Sequence, residues 1–186
     1  MKAKSIVISM GVVVTVAFLA AGAAKSAQDK YAVKVQDGLG FAEFRGYEHW
    51  ETISVSHNAK LMAVIVGNPV MINAFKSGIP ANGQPFPEGA RMAKIHWVPK
   101  PNEIAPGQPL VPGALHDVDF MVKDSSRFSD SGGWGYGAFQ YNAASDEFRP
   151  STAADQPPQG NDAKCGFACH TIVQNQDYVF TAYGKR

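Results

Sequence analysis

Residues 50–66 read WETISVSHNAKLMAVIV, and this stretch decides the fold class. Its first eight residues, 50–57, are rich in aromatic and β-branched types, which fit a pleated, half-buried surface. After a polar break, residues 61–66 (LMAVIV) run apolar without interruption. That is the pattern of a strand buried on both faces. A helix should follow at once. Asn68 is a good N-cap, Pro69 suits the first helical position, and Gly78 can close the helix after Val70, Ile72 and Phe75.

Working outward, residues 90–98 (ARMAKIHWV) alternate well enough for a further strand, and Phe120, Met121 and Val122 centre another. Residues 134–141 (WGYGAFQY) read as an aromatic strand loosened by glycines. Residues 78–89, 99–112 and 149–162 are Pro-, Gly- or polar-rich and are expected to be loops, and residues 177–183 (DYVFTAY) close the chain. There are no internal repeats. The expected class is α+β: a mostly antiparallel β-sheet with short helices in one domain.

The composition suits a globular domain: 186 residues, 45% hydrophobic and 18% charged. A formal net charge of +1 without a basic run gives no footprint for nucleic acid. At the N-terminus, Lys2 and Lys4 precede an uncharged run over residues 6–21, and small residues follow to Ala27. This is the layout of a secretory signal peptide. Cleavage after Ala23 or Ser26 fits the small-residue rule. The expected organisation is a signal peptide over 1–26 and an exported, periplasmic domain over 27–186. An uncleaved anchor is the alternative, but the apolar run falls short of the ~20 residues a span needs. No second run of that kind follows, so no membrane contact is expected once the signal is removed.

The chemistry concentrates in residues 164–170, KCGFACH. Covalent attachment of one c-type haem needs two thiols for the two vinyl groups and a histidine directly after the second thiol to ligate iron. Cys165, Cys169 and His170 supply these in a C-x-x-x-C-H spacing, one residue longer than the common C-x-x-C-H, with Gly166 offering backbone freedom to the larger loop. Two other readings stay open. One is a disulfide between Cys165 and Cys169, which leaves His170 unexplained. The other is a metal ion, for which two cysteines and a histidine are one ligand short of a closed zinc site. Only 16 residues follow His170, without Met or His. A sixth iron ligand would have to come from upstream, from His49, His57, His96, His116, Met62, Met71, Met92, Met121 or a lysine. A five-coordinate iron is expected, which suits small-molecule chemistry better than pure electron transfer. A strand-rich chain of this kind is not a four-helix cytochrome.

Three stretches together resemble the cytochrome P-460 family: FRGYEHWETISVSH from Phe44, SGGWGYGAFQY from Ser131, and CGFACHTIVQNQDYVFTAYGKR from Cys165. The resemblance implies a periplasmic, mostly β protein with one five-coordinate haem c, commonly a homodimer, acting on small nitrogen species and serving a redox partner protein. Cytochromes P-460 proper oxidise hydroxylamine with nitric oxide and carry a lysine cross-linked to the haem edge. The related cytochromes c-prime-beta lack the cross-link, line the distal pocket with phenylalanine and bind nitric oxide or carbon monoxide. Carried over, the haem residues are Cys165, Cys169 and His170. Lys60, just before LMAVIV, is the best match for the cross-linking lysine, with Lys94 in reserve; a solvated turn is the other reading of Lys60. The family's distal carboxylate is expected near residues 90–98, where no Asp or Glu stands. Ile95 or His96 occupies the region, and His96 is a candidate proton relay or a hydrogen-bonded core histidine. Phe75 and Phe86 are candidate distal phenylalanines.

Overall fold

The computed structural model describes residues 27–35, 38–151 and 161–186, with residues 161–165 described by their backbone alone. The expected signal peptide over 1–26 lies outside the described residues. Among the described residues, no helix is long and apolar enough to cross a membrane.

Six strands form one antiparallel sheet in chain order: β1 (Glu51–His57), β2 (Met62–Gly67), β3 (Arg91–Pro101), β4 (Leu110–Lys123), β5 (Trp134–Asn142) and β6 (Glu147–Pro150). Helix α1 (Pro69–Lys76) links β2 to β3, and α2 (Asn161–His170) follows β6. The α+β expectation holds. At α1, the Asn68 side chain accepts from the Met71 backbone N–H at 3.0 Å, the cap that the sequence predicts.

Two expected loops are shaped differently. Residues 99–112 contain the ends of two strands, because β3 runs on to Pro101 and β4 begins at Leu110. Pro99 and Pro112 pair across the ladder there, beyond the last pairing of β2 with β3 at Trp97. A proline without an N–H is tolerated where no third strand needs that donor. The polar stretch from 149 includes the end of β6, which closes the sheet against β5. The tail after residue 178 adds no strand to the sheet.

Strand alternation sends neighbouring residues to opposite faces. One face is covered by the chain before β1. Its core holds Phe41, Phe44, Phe120, Phe139 and Phe148, with Phe41 ring centroids 5.0 Å from Phe120 and 5.1 Å from Phe139. The other face packs against α1, residues 86–90 and the C-terminal tail through Met71, Phe75, Phe86, Met92, Met121, Trp134, Tyr136 and Val179.

Candidate haem site

Two cross-strand rungs on the second face form a cavity floor. The first rung is Ile65, Lys94, Asp119 and Ala138, in register from β2 to β5; the second includes Met92, Met121 and Tyr136. Gly166, Cys169 and His170 of α2 and residues 179–181 supply the remaining walls. The cavity measures about 480 Å³, within the ~300–1,000 Å³ usual for cofactor sites.

The segment 164–170 is helical, lying wholly within α2. Gly166 therefore does not serve as a loop hinge. It lets the helix approach β5: a Cβ there would lie 2.9 Å from Cγ and 3.0 Å from Cβ of Tyr136. The close approach brings His170 to the Tyr136 ring at 5.1 Å between centroids, with Phe180 edge-on at 4.9 Å. Cys169 is exposed and forms no disulfide. Helical residues four apart have Cβ atoms ~5–6 Å from one another, too far for the ~3.8 Å of a disulfide. The helix therefore disfavours the disulfide reading, while both cysteines and His170 share one short element at the cavity.

His170 fits an iron ligand in tautomer and charge. Its Nδ1 lies 2.5 Å from the Tyr178 carbonyl oxygen, so Nδ1–H donates and Nε2 carries the lone pair. Burial pushes its pKa below the ordinary histidine value; the Tyr178 bond works the other way, and the charge of Lys94 lowers it further. The lowered pKa favours the neutral imidazole, the form that binds metal. An acceptor-bound histidine beside a cysteine at a largely apolar cavity matches the donor set of a haem c site.

The candidates read from sequence separate clearly. Lys60 is exposed in the β1–β2 turn, where its backbone N–H and that of Leu61 donate to Asn58 Oδ1 at 2.8 Å. It does not line the cavity, and Lys94 does. His96 lies one rung beyond Lys94, with Nδ1 2.5 Å from Asp117 Oδ1 and 3.8 Å from Asp119 Oδ2. His116 Nδ1 meets Asp117 Oδ2 at 2.7 Å. Burial pushes the Asp117 carboxyl up, but hydrogen bonds to and charges of His96 and His116 outweigh it and hold it below the usual value. Phe75 and Phe86 pack on each other in the core at 5.1 Å, outside the cavity lining. Of the upstream sixth-ligand candidates, Met92, Met121 and Lys94 line the cavity.

Sequence reasoning missed Asp119. The carboxylate was sought on the strand of Lys94, but it stands on the next strand, directly opposite Lys94 in the β3–β4 register. The signal that could have found it is alternation, which puts Asp117, Asp119 and Met121 on one face of a strand, but which face is set by the register.

Among curated proteins none matches the chain. Residues 44–181, well over half of the chain, match the cytochrome P460 family. With His170 and the helical cysteine segment set against the cavity, the chain belongs to the cytochrome P460 family of haem proteins.

Proposed function

We propose that the protein is an exported, periplasmic cytochrome with one haem c, bound through Cys165 and Cys169 and ligated by His170 Nε2, that oxidises hydroxylamine together with nitric oxide. The observation that carries this reading is the rung Lys94–Asp119, which brings an amine and a carboxylate into the cavity that His170 faces. The haem, when bound, supplies an iron that takes electrons from the substrate and passes them to a redox partner. His170, which lines the cavity, would hold that iron. Lys94 lines the cavity and Lys60 does not, so Lys94 is the amine that would form a cross-link there; its neutral form would attack a porphyrin edge first oxidised by a peroxide-class oxidant, losing its proton as the C–N bond forms. Asp119 Oδ2 is placed to accept a proton released from an N–H or O–H of the substrate. His96, Asp117 and His116 continue from Asp119 toward the surface, where His116 is 40% exposed. Met92, Met121 and Ile65 keep the remaining floor apolar.

That apolar lining favours one second reading, a module that binds nitric oxide or carbon monoxide without turnover. Lys94 separates the two. Tryptic mapping of the mature holoprotein should yield a branched haem peptide that contains Lys94 together with residues 165–170. Lys94→Met should then return the spectrum to that of an ordinary haem c, abolish hydroxylamine turnover and leave nitric oxide binding. An unbranched haem peptide and no turnover in wild type would leave the gas-binding reading.

A further inference from the structure

The carbonyl that accepts from His170 sits in strained backbone. Asp177 and Tyr178 are consecutive non-glycine residues in the left-handed region, with φ of 48° and 64°. Each such residue costs on the order of 1–3 kcal/mol and persists where its surroundings over-determine it. Here the surroundings are charged and buried. Asp177 Oδ1 lies 2.8 Å and Oδ2 3.1 Å from Lys123 Nζ, with side chains 13% and 7% exposed. Asp177 Oδ2 also accepts from the Phe86 backbone N–H at 2.8 Å, and Lys123 Nζ donates to the Gly132 carbonyl at 2.9 Å. Gly132 in turn seats the Tyr178 ring, since any Cβ there would collide with it.

Burying two charges offsets much of their mutual attraction, so such a pair is weak evidence for stability. What this pair does is geometric. Lys123 ends β4, the strand whose Asp119 and Met121 form the cavity floor. Asp177 begins the turn that reverses the tail past His170. The pair thus joins the floor of the cavity to the one carbonyl that His170 uses.

We infer that the Lys123–Asp177 ion pair is a positioning device for His170, holding the Tyr178 carbonyl against Nδ1 and so setting the orientation and basicity of the imidazole offered to iron. Hydrogen-bond partners of a ligating histidine tune the metal in this way. The inference rests on His170 being the iron ligand. The test is the iron–histidine stretching band of the ferrous holoprotein by resonance Raman spectroscopy. Asp177→Asn keeps the side chain's size and its acceptor for Phe86 but removes the ion pair; the band should move to lower frequency and broaden. Asp177→Gly relieves the backbone strain and should show the same downshift even where thermal stability is retained. It carries the test by itself where the Asn variant does not fold. Lys123→Arg keeps the charge and should keep the band. A wild-type frequency in both Asp177 variants, whatever their melting temperatures, overturns the inference and makes the pair structural only. A wild-type protein without any iron–histidine band is a different failure, because it overturns His170 as ligand.

Discussion

The two faces of the sheet are built by the same four strands and do opposite things. On the closed face, the rungs read Val66, Ala93, Phe120, Gly137 and Val64, Ile95, Val118, Phe139. On the site face, one residue along, they read Ile65, Lys94, Asp119, Ala138 and Ala63, His96, Asp117, Gln140. The closed face fills its space with rings: Phe44 stacks on Phe120 at 4.1 Å between centroids. The site face leaves a cavity and lines its edge with ionisable groups. A period of two lets one strand serve both purposes, because each residue's neighbour belongs to the other face. Stability and chemistry are thereby separable by single substitutions, and the following outcomes test that separation.

The largest effect is on the site face. If His170 ligates the iron as proposed, His170→Ala should abolish the ferrous iron–histidine band, while haem colour that survives denaturation would report the proposed covalent attachment through Cys165 and Cys169. A protein that keeps the wild-type band after this change would place the ligand elsewhere. On the closed face, Phe120→Ala should cost about 3–5 kcal/mol of stability, as expected for a fully buried phenylalanine; Phe120 is 1% exposed. Chemical denaturation of the holoprotein measures it, and the spectrum of the folded fraction should not change. A spectral change without a large loss of stability would show that the faces are coupled.

Gly166→Ala probes the contact between α2 and the sheet and should have an intermediate effect. The added methyl meets the Tyr136 ring, and overpacking of this kind costs about 1–3 kcal/mol. Because the ring adjoins His170, the variant should also attach haem less completely, read as the ratio of haem absorbance to protein. Full attachment with wild-type stability would mean that the helix sits farther from β5 than the structure shows.

How much of this was legible in sequence follows from which properties are local. The two cysteines and the histidine lie within six consecutive residues, 165–170, so they are met as one motif in the sequence. The cap at Asn68 and the apolar run over 61–66 are local too. Lys94 and Asp119 meet only through the β3–β4 register, which depends on pairing between residues 25 apart in sequence. Reading Lys60 ahead of Lys94 weighed position along the chain, whereas the cavity is defined across strands. Residues 99–112 misled for a different reason. Prolines argue against a central strand, and here they lie in the part of the β3–β4 hairpin that extends past β2.

The smallest effect concerns pH and again sets one face against the other. Asp117 has its folded-state pKa held down by His96 and His116. A depressed carboxyl pKa contributes stability that is fully present above the unfolded value, about 3.9, and is lost as pH falls through the folded value. Asp117→Asn deletes that contribution. The variant should therefore be less stable than wild type at pH 5, and the gap should narrow below about pH 4 as the wild-type carboxyl takes up its proton. Urea midpoints at pH 5 and pH 3 measure the gap. Phe120→Ala provides the contrast, since burial of a ring involves no proton and its gap should be the same at both pH values. If the Asp117 gap instead holds constant, the carboxylate acts through shape and hydrogen bonding alone. If it widens in acid, the carboxyl is favoured in its protonated form, and the direction of its pKa shift is reversed.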